Sequence, residues 1–409
     1  MTEESVPNTG RFVFGYHALG EGIAQVAPAA GGYSYESALD FVLVTAVDAT
    51  TCRLTATDFE VWTSVDVPAK SAHGTLLVRF EDLEGVHEAF AKGARTAAAK
   101  KKLPDVTLAA EAALGPVLRT VGRVVPLRAA NVADFPRVEC GPLPRLAEVG
   151  LAELRGAVTG VAVAAGRDDT LPMLTGVNIS ASGPEGLDVT ATDRFRLANS
   201  HVRAKVDEPG QLAVGALVSA VKLGQVLADL HGERVVIGGA SDSTSPGGVG
   251  ALSFSCGGVT ARLLTLSAPF PKWRHLVPEE TWAHVTVDPA TLALEVKRMG
   301  SVAKDVREVS LEVGETSITV RPVGEKGGGG ESKSVVKAEV TGGTGVVTHF
   351  NWPFLHQGLT SFGAAGVDEV TVHLQEATHR PMVITPKDTA HDNTAVALWH
   401  LLMPIRKPS

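Results

Sequence analysis

The sequence predicts an α+β fold made of three copies of one unit, and three observations carry that prediction. First, two unrelated motifs share one offset: Ala56-Thr57-Asp58 returns 135 residues later as Ala191-Thr192-Asp193, and Phe135-Pro136-Arg137 returns 135 residues later as Phe270-Pro271-Lys272. Second, one helical stripe occurs three times, as Leu19, Ile23, Val26, Ala30, then Leu154, Val158, Val161, Ala165, then Leu292, Val296, Met299, Ala303. Spacing of i, i+4, i+7, i+11 places such residues on one face of a helix. Third, short Val/Thr-rich runs recur between turn residues in a chain with 43 Gly and 23 Pro, which reads as many strands joined by tight turns. A fixed period of this kind marks duplicated structural units.

Each unit reads as helix, strands, helix, strands. Strands are expected at Asp40-Phe41-Val42-Leu43-Val44, Gly176-Val177-Asn178-Ile179-Ser180 and Val309-Ser310-Leu311-Glu312-Val313. A second, shorter helical pattern surrounds Leu83, Val218 and Phe354. Pro404 lies 133 residues beyond Pro271, so a third copy of that motif closes the chain. The domain boundaries that follow are 1–143, 144–279 and 280–409 of 409 residues. The glycine run 327–330 and the Ser/Pro/Gly-rich stretch from Ser241 to Gly250 read as hairpin tips. Lys100-Lys101-Lys102 reads as solvated charge.

Hydrophobic residues make up 44% and charged residues 20%, enough for a core in each domain. A net charge of −8 argues against a protein that grips nucleic acid over its whole surface, and leaves room for a local basic lining. Cys52, Cys140 and Cys256 are odd in number and far apart, which fits neither a disulfide framework nor a metal site. Met1-Thr2-Glu3-Glu4-Ser5 lacks the basic start of an export signal, and no run has the roughly 18 apolar residues a spanning helix needs. The chain is therefore expected to be soluble and cytoplasmic, with no membrane partner.

No catalytic arrangement emerges. The thirteen histidines show no metal-ligand spacing, His391-Asp392 reads as a surface turn, and no phosphate-cradling loop occurs. Thr57-Asp58 and Thr192-Asp193 read as turns in which the carboxylate accepts backbone N–H bonds. No catalytic residue, metal or cofactor is expected, which points to a binding scaffold.

At this point the residues resemble a known family. Gly166-Arg167-Asp168-Asp169-Thr170-Leu171-Pro172-Met173-Leu174-Thr175-Gly176 and Ala191-Thr192-Asp193-Arg194-Phe195-Arg196-Leu197-Ala198 are similar to the middle domain of bacterial sliding clamps, the β subunits of DNA polymerase III. Phe270-Pro271-Lys272-Trp273-Arg274, with Val277-Pro278, resembles the end of that domain, and Met403-Pro404-Ile405-Arg406 resembles the family terminus. The Arg194-Phe195 variant is similar to clamps of high-GC Gram-positive bacteria.

The resemblance implies three clamp domains, with helices lining a pore, antiparallel sheets outside, and a head-to-tail ring-shaped homodimer around duplex DNA. It implies a non-catalytic processivity factor for DNA replication. Its partners would be duplex DNA without sequence preference, a second copy, a clamp loader, and polymerase and repair proteins carrying a short motif close to Gln-Leu-x-Leu-Phe. DNA-facing residues would be Arg155, Arg167, Lys222, Lys297 and Lys304. The first-domain loop where relatives often carry a basic residue reads Gly31-Gly32-Tyr33-Ser34 here.

The motif-binding cleft carries over to Leu174, Thr192, Arg194, Phe195, Arg196, Leu197, Pro271, His275 and Leu276. From the third unit it takes Val306, Asn351, Phe354, Pro381, Met382, Leu402, Met403, Pro404, Ile405 and Arg406. Leu, Met and Pro walls suit Leu/Phe anchors. His275 stands where many relatives have Arg. Two alternatives remain: a divergent clamp paralogue with a specialised role such as tolerance to a clamp-directed inhibitor, and an enzyme built on duplicated α+β domains.

Overall fold

The computed structural model describes residues 8–30, 38–92, 102–136, 141–168, 170–302, 306–323, 332–392 and 396–406. The loop from Gly31 to Ser34, Lys100, Lys101, Cys140, Asp169, Ala303, Lys304 and the glycine run 327–330 lie outside the described residues. The chain forms two compact units. The first comprises Met1–Arg145, Gln225–Ala240 and Ala251–Leu264; the second comprises Leu146–Gly224, Ser241–Gly250 and Thr265–Ser409.

In the first unit the antiparallel strands run side by side in the order Arg123–Pro126, Gly115–Thr120, Val106–Glu111, Thr9–Phe14, Ser71–Arg79, Phe41–Ala46, Thr51–Thr57, Val61–Pro68, Val259–Leu264, Val249–Cys256. Strand periodicity drives Phe12 and Phe14 fully inward while Arg11 faces solvent. Helices α1 (Tyr16–Val26) and α2 (Phe80–Ala91) cover this core through Leu19, Ile23, Val26 and Leu83. Gly22 lets α1 sit close on the sheet, since a Cβ there would come within 2.5 Å of Val67. The Tyr16 hydroxyl donates to the His87 carbonyl, His87 Nε2 donates to the Tyr16 carbonyl, and the two rings stack at 4.0 Å, which ties α1 to α2. Phe135 of the repeated Phe-Pro motif is buried with Phe41 and Leu77.

In the second unit the strand order is Ala216–Ser219, Gly176–Gly183, Gly186–Thr192, Arg196–Val206, Trp399–Leu402, Met382–Pro386, Val370–Leu374, Ala283–Val287, Glu339–Gly342. A separate four-stranded sheet runs Val347–Asn351, Glu308–Val313, Ser317–Pro322, Ser334–Lys337. Helix α3 (Leu151–Ala162) buries Leu154, Val158 and Val161, and α4 (Ala220–Asp229) follows the strand ending at Ser219. Helices α5 (Pro289–Val302) and α6 (Trp352–Ala364) pack closely at Gly300, where a Cβ would come within 2.3 Å of the Trp352 ring.

Two expectations about helices need correction. Ala30 and Ala165, the last members of two stripes, lie past the ends of α1 and α3; the first helix tightens into a 3-10 turn at Ala27–Ala29, where Pro28 cannot donate the next helical hydrogen bond. Val218 belongs to a strand, paired with Val177, and the helix starts two residues later. An isolated apolar run before an amphipathic helix reads as part of it when only spacing is considered. The Ser241–Gly250 stretch is an ordered turn: Asp242 Oδ1 accepts from Thr244 N and Oγ1, and Asp242 N donates to Gly248 O.

One pairing rule recurs. The strand after the first Thr-Asp turn, Val61–Pro68, pairs with Val259–Leu264, the last strand of the following repeat. The strand after the second, Arg196–Val206, pairs with Trp399–Leu402, again the last strand of the following repeat. In the third repeat the matching strand, Ser334–Lys337, is paired on one side among the described residues and Val335 is 58% exposed. The last strand of the first repeat, Arg123–Pro126, is likewise paired on one side there, with Val124 43% exposed.

Candidate protein-binding cleft

The candidate site is built on the Thr192–Arg196 turn. The Thr192 hydroxyl donates to Arg196 O and accepts from Arg194 N. Asp193 Oδ1 accepts from the backbone N–H groups of Phe195 and Arg196, both at 3.0 Å. These bonds hold Arg194 at φ 76°, a left-handed conformation that costs a non-glycine residue about 1 kcal/mol. The carboxylate is thus a structural acceptor, as its place at a strand end predicts.

The turn aims two side chains at α6. Arg196 is 7% exposed; its Nε donates to Asp193 Oδ2 at 2.9 Å, its Nη1 donates to Gln357 Oε1 at 2.6 Å, and its Cζ lies 4.3 Å from the centre of the Phe354 ring. Burial pulls the Arg196 guanidinium below its ordinary pKa and the Asp193 charge opposes this. Phe195, 61% exposed, stacks on Phe354 at 6.2 Å. Asn351, expected to be available to a ligand, caps α6 by accepting from Phe354 N at 3.4 Å. The cap satisfies a backbone donor and fixes where Phe354 and Gln357 begin their turn.

Beneath the turn lies a buried floor. Leu197, Trp273, Val383, Trp399 and Leu401 form one cluster, with Phe270, Val277 and Met403 packed against it. Trp273 and Trp399 approach at 5.9 Å. The Met403 N–H donates to Phe195 O and the Ile405 N–H donates to His349 O, so the chain after Trp399–Leu402 is laced along the site. His400 is fully buried; burial pushes its pKa down to about 3 and Ser361 Oγ lies 2.9 Å from its Nε2. Kept neutral, it adds no charge beside Arg196.

The predicted residues divide into four groups. Leu174, Arg194, Phe195, Arg196 and Phe354 line one cavity of about 610 Å³. His275, Leu276 and Pro381 line a second of about 600 Å³. Thr192, Leu197, Met382 and Leu402 are buried as support, with Met403 half-buried and Pro404 buried. Pro271, Val306 and Ile405 are half-buried and Arg406 is exposed, none of them lining either cavity.

Arg167, expected to face DNA, lines the first cavity beside Arg194. Lys297 is exposed on α5, whereas Arg155 on α3 and Lys222 on α4 are half-buried. Sequence reasoning missed Gln357 and Arg307, both lining the first cavity. Gln357 lies three residues after Phe354, a helical spacing that would have found it. Nothing local marks Trp273 and Trp399 as a shared floor. Among the described residues, no group of histidine, cysteine and acidic side chains is arranged to hold a metal ion, and no helix is long and apolar enough to cross a membrane.

Residues 148–237, which include this turn, match the family model described as the central domain of the DNA polymerase III beta subunit. The chain is similar to the bacterial β sliding clamps. It is 30% identical to the beta sliding clamp of Streptomyces coelicolor over 253 residues, a match covering 61% of this chain and 64% of that protein. Its likeness to the beta sliding clamp homolog GriR of Streptomyces muensis runs nearly end to end, at 27% identity over 97% of this chain and 99% of that one. The same clamp fold is seen in the Pseudomonas aeruginosa sliding clamp solved with griselimycin bound, with a TM-score of 0.80 at 20% identity, covering 98% of this chain and 100% of that one.

Proposed function

We propose that this clamp homologue works as a DNA sliding clamp: a head-to-tail ring of two chains that encircles duplex DNA and tethers replication and repair proteins through the cleft around Phe195. The three repeats, 1–143, 144–279 and 280–409, act as equivalent domains in this reading. The observation that carries it is the pairing rule. The strand after a repeat's second hairpin turn takes the last strand of the next repeat as its neighbour, twice within the chain. Applied a third time, the rule needs the last strand of a first repeat from a second copy, and Ser334–Lys337 and Arg123–Pro126 are the edges left for it. Pairing them removes two exposed strand edges and repeats one contact until the ring closes.

Sliding requires attraction to phosphates without base readout. The helices distribute that attraction unevenly: α1, α2 and α6 carry no Lys or Arg, whereas α3, α4 and α5 carry Arg155, Lys222 and Lys297 with Arg298. The reading assigns no reaction to the chain, and its expected site of action is the cytoplasm. The test is a mass near twice the 42.6 kDa of one chain, together with retention on circular but not linear DNA after loading. A strict monomer that never stays on circular DNA overturns it.

A second reading is a specialised clamp copy, favoured because the relative matched from end to end is called a clamp homolog. Failure to replace the replicative clamp in cells, with the ring intact, selects it.

A further inference from the structure

The two cavities beside the cleft carry opposite charge, and one row of the sheet runs from the edge of the first toward the edge of the second. Arg196, Leu402 and Met382 are register partners on three neighbouring strands. Strands lie about 4.8 Å apart, so this row spans about 10 Å. At its Arg196 end the cavity is lined by four arginines against two aspartates. Both aspartates are engaged, Asp193 with Arg196 and the turn, and Asp168 with Thr170 N and Oγ1. At the other end, Pro381 precedes Met382 and borders the second cavity, where Glu279, Glu280 and Glu376 face a single arginine, Arg380, between walls that include Leu276 and Trp282. Among the described residues none of Arg167, Arg194, Arg307, Glu279, Glu280 and Glu376 is held in an ion pair.

We infer that the segment accepted by the cleft is dipolar. It carries a carboxylate over Arg167, Arg194 and Arg307, and a Lys or Arg among Glu279, Glu280 and Glu376. An extended chain covers about 3.3–3.6 Å per residue, so a segment reaching from one cavity edge to the other needs at least about three residues between its two charges, with apolar residues among them. This rests on the cleft being the partner site proposed above. The arrangement gives the cleft a direction: a segment with the charges exchanged brings like charges together at both ends, and such mismatches act mainly on specificity.

The test is calorimetric binding of capped peptides to the full chain. One has a Gln-Leu-Ala-Leu-Phe core with serine flanks; the second has Asp on one flank and Lys on the other; the third exchanges them; a fourth replaces Asp by a free terminal carboxylate. One charge order is expected to bind about tenfold more tightly than the neutral peptide and the exchanged order more weakly than it, with the gap shrinking at high salt. The fourth peptide distinguishes a side-chain carboxylate from a chain end. In a Glu280→Lys, Glu376→Lys chain the advantage of a Lys flank over a Ser flank is expected to vanish, a ratio measured within one folded protein. If both orders bind as the neutral peptide does, the dipolar inference falls and the cleft stands. If no peptide binds, the cleft reading falls with it.

Discussion

The turns at Thr57–Val61 and Thr192–Arg196 are the same device with different outcomes. In each, the threonine hydroxyl accepts from the residue two ahead, at 3.0 Å from Phe59 N and 3.2 Å from Arg194 N. In each, the aspartate accepts from two further backbone N–H groups. The residue after the aspartate sits at φ 70° in one and 76° in the other. The first turn presents Phe59, 52% exposed, and Glu60; the second presents Arg194 and Phe195, and its Arg196 reaches back to Asp193 and across to Phe354. The backbone is therefore a reusable mount, and the site arises from which side chains it carries and whether a helix such as α6 stands opposite.

The largest effect is expected from charging the floor. Leu197→Asp buries a carboxylate among Trp273, Val383 and Trp399, and is expected to cost about 4 kcal/mol or more and abolish binding of the Gln-Leu-Ala-Leu-Phe peptide. Trp62→Asp, at the matching place in the first repeat, should also destabilise but leave peptide affinity intact in the folded fraction. Thermal unfolding alongside calorimetry separates the two outcomes.

Next come Asp58→Ala and Asp193→Ala, each of which strips an acceptor from two backbone donors and is expected to cost about 1–3 kcal/mol. Only Asp193→Ala should weaken peptide binding, because only Arg196 depends on its carboxylate. Equal weakening by both would mean that the turns are not functionally distinct.

Acid supplies a third contrast. Burial pushes His373 and His400, both in the second unit, down to about 3, against about 6.5 in an unfolded chain. A depressed histidine stabilises the fold fully above pH 6.5 and loses that contribution as pH falls toward 3, at up to about 1.4 kcal/mol per pH unit for each. Denaturant unfolding between pH 7 and 5 should show this slope, and His373→Gln should flatten it; an unchanged slope would remove the assignment.

The smallest effect is expected from Phe59→Gly and Arg194→Gly, each gaining up to about 1 kcal/mol by relieving the left-handed backbone. A loss of melting temperature in both would show that the side chains stabilise the turns after all.

Much of this was legible in the sequence because it is local or periodic. The Thr-Asp turns depend on contacts within five residues, and the stripes Leu19, Ile23, Val26 and Leu154, Val158, Val161 depend on helical geometry alone. The repeated Phe-Pro motif marks apolar anchors, Phe135 buried in one core and Phe270 half-buried against another. What escaped is set by register between distant strands. Pairing of Arg196 with Leu402 and of Leu402 with Met382 decides that Pro381 and Phe354 belong to different cavities. Arg167 illustrates the same limit: its sequence neighbours say nothing of whether it meets DNA or Arg194.

The strand Trp399–Leu402 lies between Arg196–Val206 and Met382–Pro386, and the floor beneath the cleft needs its Trp399 and Leu401. A ribosome makes that strand after both of its neighbours, on the order of ten seconds or more after the Thr192–Arg196 turn at ordinary rates of synthesis. Until then a nascent chain presents the arginines and Phe195 without the floor that shapes them. Under the proposed function, recruitment is thereby timed by translation: an unfinished chain offers a partner no completed seat.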